Sequence, residues 1–315
     1  MQTKDFIDTQ FLALGTINYI RVYDHTDENV LRMAIDRVKV IEERMSSFLS
    51  DSDIMKMNER AGRDTVSIHE DTMNVLKAAT YYSELSQGAF DVTIRPLVEL
   101  WGIGKKNNYI PTQQDINEAL KLVEWKSVII KEDLGVAGLR NAGQKIDLGG
   151  IAKGYAADEV KRILQDNNIK NAMINMGGNI VTMGHSKGEE LWKIGIQNPM
   201  APTGSYLGVL TLSEKTIVTS GSNERFFMKD GIRYHHLLNP LTGKPAQSGL
   251  LSVTVVSDCS MEADALTTAL FVMGLEQGVR FLKNFDAEAV FITENLGIYL
   301  TEGLKDYFTT TQKRR

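Results

Sequence analysis

The segment Lys145 to Val160, KIDLGGIAKGYAADEV, places an acid, Asp147, just ahead of Gly149-Gly150 and a lysine, Lys153, soon after them. It reads as a short buried strand, a sharp turn and a helix with Lys153 in its first turn. Paired glycines let the backbone turn tightly and let a ligand approach it closely. A helix start offers unpaired N–H groups and the positive end of a dipole, which suits phosphate. The segment is not a Walker phosphate loop, because Gly154 rather than Ser or Thr follows the lysine, and no G-x-G-x-x-G opens a helix here. In MEADALTTALFVMG, Met261 to Gly274, Asp264 and Thr268 are four apart on a helix and project from one face. A carboxylate and a hydroxyl so placed form a hard oxygen pair suited to Mg²⁺, which takes few protein ligands and favours phosphate oxygens for the rest. Taken alone, such a pair is more often a solvated helix charge beside an inert hydroxyl.

YHHLLNPLTGKP, Tyr234 to Pro245, contributes His235 and His236 just before a tight Asn-Pro turn. Neighbours on a strand face opposite ways, so one histidine suits a general base and the other a core or surface position. TSGSNERFF (219–227) offers backbone N–H groups in a turn as an anion cradle, MINMGGNI (173–180) ends a strand in two glycines, and GAFD (88–91) sets an aromatic beside a carboxylate.

Elements that position these residues follow from periodicity. Asp27 to Met45 is an amphipathic helix with Val30, Ala34, Val38, Ile41 and Met45 on one face. A short helix ends near Asn58, and another runs from about Asp71 to Ser86, with Met73, Leu76, Ala79 and Leu85 inward and Gly88 as its C′ residue. Pro96 argues for a strand edge turning into a short helix over 88–104. Thr112 caps a further helix, and strands near 126–131 and 144–148 lead into the glycine turn. From Asn171 onward short strands dominate, a strand at Leu250 to Ser257 meets a helix ended by Gly274, and one more helix and two strands follow. The fold class is α+β, with mixed or antiparallel sheets, helices gathered in the first half and strands in the second. A chain of 315 residues fits one domain, or two interlocked lobes of about 1–145 and 146–315.

Composition narrows the partners. Net charge is −5, and the basic run Lys313-Arg314-Arg315 is terminal, so nucleic acid is not the expected partner. Cys259 is the single cysteine, which excludes an intrachain disulfide and a cysteine metal cluster. No stretch reaches the roughly 20 apolar residues of a membrane span. MQTKDFIDTQ has neither a basic nor an apolar leader region, so the expectation is a cytoplasmic protein. A protein exported or lipid-anchored after losing a leader would read the same.

In this order the motifs resemble those of the ApbE-type flavin transferases, the FAD:protein FMN transferases. The resemblance rests on L-G-T (14–16), S-D-S-D-I-M-K-M-N (50–58), G-A-F-D-V-T-I-R-P-L (88–97) with L-W-G (100–102), and D-L-G-G-I-A-K-G-Y-A-A-D (147–158). It continues through N-M-G-G-N-I (175–180), V-T-S-G-S-N-E-R (218–225), H-L-L-N-P-L-T-G (236–243) and E-A-D-A-L-T-T-A-L-F-V-M-G (262–274). It implies Mg²⁺-dependent transfer of the FMN half of FAD to a threonine or serine of an acceptor flavoprotein bearing a D-x-x-(S/T)-(G/S)-A-T type motif, with release of AMP. It further implies Mg²⁺ on Asp264, Thr268 and the Gly150 carbonyl, and FAD along Leu14, Phe48, Ala89, Phe90, Asp91, Asp147, Lys153 and Leu238, with His236 as the base. Leu14 stands where the usual pattern has Met, Phe48 where some relatives have Tyr, and Asn239 where H-x-I-D-P has Asp. A Mg²⁺-dependent FAD pyrophosphatase and a non-catalytic flavin-binding protein are the alternatives; a redox flavoenzyme fits less well.

Overall fold

The structure, a computed structural model, describes residues 6–24, 27–104, 108–187 and 190–311. The N-terminal five residues and the Lys313–Arg315 run therefore lie outside the described residues. All named strand pairs are antiparallel, and the α+β expectation holds.

β1 (Ile7–Ala13) and β2 (Thr16–Val22) form a hairpin whose two turn residues, Leu14 and Gly15, both have left-handed backbones with φ of 56° and 68°. That is the geometry a two-residue hairpin requires. β2 pairs with β6 (Ala172–Met176), which turns into β7 (Asn179–Met183); β10 (Thr216–Gly221), β13 (Leu250–Ser257), β14 (Glu288–Thr293) and β15 (Ile298–Leu300) complete the eight-stranded sheet β1-β2-β6-β7-β10-β13-β14-β15.

Helices cover one face of that sheet. α1 (Glu28–Met45) starts at Asp27, whose carboxylate accepts the Asn29 N–H, and buries Val30, Leu31, Ala34, Val38, Ile41 and Met45. α6 (Ala152–Asp166) packs against α1, and α7 (Ser260–Leu282) packs against α6. On the opposite face a second sheet, β8 (Trp192–Gln197), β9 (Tyr206–Leu212) and β16 (Phe308–Thr310), packs Trp192, Ile194 and Leu210 against Ile217, Val256, Val290 and Ile292. Between two covered faces, every residue of β13 is buried, as its nearly unbroken apolar run requires.

The remaining elements are α2 (Asp53–Glu59), the small sheet of β3 (Val66–Ser67), β4 (Val128–Lys131) and β5 (Val136–Leu139), α3 (Glu70–Leu85), α4 (Arg95–Trp101), α5 (Gln113–Leu120) and the hairpin of β11 (Phe226–Lys229) and β12 (Ile232–His235). Thr112 and Asp115 form a full capping box on α5. Gly274, with φ 78° and ψ 177°, breaks α7 where a helix end is expected. Among the described residues no helix is long and apolar enough to cross a membrane.

Four expectations need correction. Residues 144–148 form no strand: Ile146 exchanges hydrogen bonds with the Asn58 side chain and Asp147 donates its N–H to Val92, so side chain and loop take the place of a ladder. Residues 88–94 form turns rather than a strand edge, and Pro96 sits in the first turn of α4, where its missing N–H costs nothing. The left-handed C′ residue of α3 is Gln87 at φ 52°, and Gly88 follows it, its N–H bonded to the Ser83 carbonyl. Leu85 is 38% exposed, and Val75 and Tyr82 are buried on α3 instead.

Candidate functional site

The starts of α6 and α7 meet closely because Gly154 lacks a side chain. A Cβ there would stand 2.2 Å from the Ser260 carbonyl oxygen. One turn on, the Asp158 carboxylate accepts the N–H groups of Ser260 and Met261 at 2.9 and 2.8 Å and so caps α7. This clasp sets Asp264 against α6: its Oδ2 accepts the Gly154 N–H at 3.0 Å. Asp264 is 4% exposed, so the solvated-charge reading of this residue is excluded. The helix start expected to hold phosphate directly engages a carboxylate of its own chain.

Thr268 reaches the same place. A Cβ on Gly150 would lie 3.5 Å from the Thr268 hydroxyl oxygen and 3.1 Å from the Phe90 ring. The glycine corner, Phe90, Asp264 and Thr268 thus converge. Lys153 adds its ammonium, which donates to the Gly149 carbonyl at 2.8 Å and stands 3.6 Å from Asp264 Oδ1. No group of three or more His, Cys, Asp or Glu able to hold a metal exists among the described residues. The donors present here are one carboxylate, one hydroxyl and main-chain carbonyls of the glycine turn. That sparse, all-oxygen set fits Mg²⁺ and not a soft or nitrogen-seeking ion.

Asp147 faces the corner from the other side. Its Oδ1 accepts the Gly149 N–H at 2.8 Å and its Oδ2 the Arg95 guanidinium at 3.0 Å. Ala89, Phe90 and Asp91 are buried in the turn before α4. Burial pushes the Asp91 carboxyl up to about 6, against the pull of hydrogen bonds from the Thr93 N–H and hydroxyl and the Trp125 N–H. Those bonds occupy the carboxyl within its own loop and tie it to Trp125, so Asp91 shapes the turn that presents Phe90. Phe48 is 63% exposed, with the Arg95 guanidinium 4.5 Å from its ring centre.

The two histidines divide as expected into a buried and a more accessible one, although only His235 lies on β12 and His236 stands in the bend after it. His235 is buried edge-on against Phe271, with Nε2 3.0 Å from the Ala246 carbonyl. His236 is only half-buried, and its N–H donates to the Arg225 carbonyl at 3.0 Å. Its Nδ1 lies 3.4 Å from that same oxygen, which assigns the proton to Nδ1 and leaves Nε2 as the acceptor. Desolvation, helped by the positive charges of Arg225 and Lys153, pushes its pKa down to about 4. The imidazole is therefore neutral at physiological pH.

Other expected residues serve the frame. Leu14 sits in the β1–β2 turn and packs on the large core. Leu238 is 6% exposed in a small core with Leu97, Trp101 and Ile116. Asn239 Oδ1 accepts the N–H groups of Leu241 and Thr242 at 2.8 and 3.3 Å, a turn role that an aspartate would fill equally. The Trp101 indole donates to the Gly243 carbonyl at 2.7 Å and ties the L-W-G motif to that turn. Ser220 and Ser222 spend their hydroxyls on Thr267 and the Leu251 carbonyl rather than on an open cradle. Sequence reasoning missed two residues. Burial raises the Glu224 carboxyl while Lys153 and Arg225 oppose it and Asp264 adds to it, so Glu224 shares the field of this cleft. Arg95 is the other, and only its tertiary contacts reveal it.

The profile of the ApbE family matches residues 14–291. A protein of Klebsiella pneumoniae (strain 342) named FAD:protein FMN transferase is 36% identical over 291 residues, 92% of this chain and 90% of its own length. One of Treponema pallidum (strain Nichols) with the same name is 31% identical over 313 residues, 94% of this chain and 86% of its own. Among solved structures, the ApbE protein of Thermotoga maritima superposes with a TM-score of 0.88 at 34% identity, covering 96% of this chain and 99% of that one. The flavin transferase ApbE of Vibrio cholerae does so with a TM-score of 0.85 at 26% identity and the same coverage. With most of its length matched by the family profile, the chain belongs to the ApbE family.

Proposed function

We propose that this chain is a FAD:protein FMN transferase that moves the FMN half of FAD onto a threonine or serine hydroxyl of an acceptor protein. The observation that carries the reading is the meeting of the glycine corner with Asp264 and Thr268. We assign Mg²⁺ to Asp264, Thr268 and the Gly150 carbonyl. When bound, the ion offsets charge on the diphosphate oxygens. Lys153 and the start of α6 keep a positive potential beside that site. We place FAD along Phe48, the Ala89-Phe90-Asp91 turn, Asp147 and Lys153, with Leu14 and Leu238 supporting the site from turn and core.

His236 Nε2 takes the proton of the acceptor hydroxyl. That oxygen bonds to the FMN-side phosphorus, the bond from this phosphorus to the bridging oxygen breaks, and AMP leaves with the bridging oxygen. The acceptor must present a flexible loop, such as a D-x-x-(S/T)-(G/S)-A-T segment, so its contact is transient. We treat the chain as one transferase domain, because the large sheet places the N-terminal hairpin in one order with strands from the second half.

The test incubates the protein with FAD and Mg²⁺, with and without a candidate acceptor. The reading predicts fluorescent, FMN-bearing acceptor in denaturing gels and matching AMP. Free FMN and AMP at the same rate with or without acceptor identify a pyrophosphatase, and stoichiometric FAD with no AMP identifies a carrier. Either outcome overturns the proposal.

A further inference from the structure

Arg95 is 7% exposed, yet its guanidinium serves three separate parts of the chain. Nη1 donates to the Ser47 hydroxyl at 2.7 Å and to Asp147 Oδ2 at 3.0 Å, and Nη2 lies 3.4 Å from the Ser47 carbonyl. Nε donates to Glu99 at 3.0 Å, and Glu99 is held in turn by Lys145 at 2.5 Å. The planar group also lies over the Phe48 ring. The loop carrying that ring is stiffened from within: Ser46 Oγ accepts the N–H groups of Phe48 and Leu49, and Ser52 donates to the Ser46 carbonyl. A buried guanidinium is costly unless fully paired. Here the pairing joins an exposed aromatic ring to the acid of the glycine corner.

We propose that Arg95 is a positioning residue for the flavin end of FAD, holding Phe48 as a platform for a flat ring while it orients Asp147 at the diphosphate end. This rests on the FAD reading above. Without the planar fork, the Phe48 loop keeps its own hydrogen bonds but loses its link to Asp147, and the ring must then be fixed in place on binding. A lysine keeps a cation opposite Asp147 but cannot also reach Ser47 and lie over the ring.

The test measures affinities of the full-length protein for FMN and for ADP by titration calorimetry, in wild type, Arg95→Lys, Phe48→Ala and the double variant. Arg95→Lys is expected to weaken FMN about tenfold, the size of a partly desolvated cation–π and fork contact. ADP affinity falls by clearly less than FMN affinity, because the lysine still places a cation opposite Asp147. The two substitutions together weaken FMN by clearly less than the product of their separate effects, since each breaks the same platform. Wild-type FMN affinity in Arg95→Lys, equal weakening of FMN and ADP, or independent effects in the double variant each overturn the proposal. A wild-type protein that binds FMN but transfers nothing contradicts the transferase reading and leaves the role of Arg95 standing.

Discussion

Asp264 shows how residue-level chemistry depends on a neighbour far away in sequence. In the chain it is an acid two residues from Glu262 on a largely apolar helix; in the fold its carboxylate takes the Gly154 N–H and stands beside the Lys153 ammonium. Asp264→Asn keeps an acceptor for that N–H but removes the charge. It is expected to abolish transfer and Mn²⁺ binding, read by titration calorimetry, with an unchanged thermal midpoint. His236→Ala should slow transfer by about 10²–10⁴-fold, with FAD affinity kept, as single-turnover assays and flavin fluorescence will report. The imidazole's pKa is pushed from 6.5 to about 4, so the acid limb that His236 contributes to kcat/KM should fall near pH 4 rather than 6.5. The same shift fixes the sign for stability: the unfolded histidine binds its proton first as pH drops below 6.5, so this group erodes stability towards pH 4. That one of His235 and His236 would be buried and the other accessible was legible from sequence, although His236 lies just past the end of β12. Arg95 and Glu224 stand inside two of the quoted motifs, but their roles come from contacts with residues distant in the chain and were not legible.

At the scale of elements, the α6–α7 clasp decides the geometry, and Gly154 and Asp158 make it. Gly154→Ala pushes a methyl group into backbone. It should cost roughly 1–3 kcal/mol in urea unfolding, as overpacking does, and lower transfer more than FAD affinity. A second fastening binds α1, α3 and α6, where Asp71 takes a fork from Arg37, a hydrogen bond from Tyr155 at 2.6 Å and an ion pair with Arg44. Burial works to raise the Asp71 carboxyl, but these donors outweigh it and hold it near about 2. The folded value lies below the usual 3.8, so this stabilisation is present above pH 3.8 and is lost as pH falls towards 2. Asp71→Asn removes the charge facing Arg37 and Arg44, of which Arg37 keeps Glu159 at 2.7 Å, and should cost roughly 1–3 kcal/mol in urea unfolding, with kcat unchanged. The amphipathic stripes of α1 and α6 could be read from sequence. The segment 144–148 misled because its apolar residues suit a strand, while its polar partners, Asn58 and Val92, are distant in the chain.

Across the whole molecule, mixed or antiparallel sheets flanked by helices followed from patterning, and β13 followed from its largely apolar run. Strand order did not, because the β1–β2 hairpin joins β6 across about 150 residues of intervening chain. Nor could sequence alone place the smaller sheet, which includes β16, against the far face of the large one. That order brings the glycine corner to α7, and on this meeting the functional account depends. The most direct test is anomalous diffraction from crystals grown with Mn²⁺ and FAD. The account predicts one strong Mn²⁺ peak within bonding distance of an Asp264 carboxylate oxygen, the Thr268 hydroxyl and the Gly150 carbonyl, with the diphosphate beside it. A peak elsewhere, or a diphosphate seated away from residues 147–153, would contradict it.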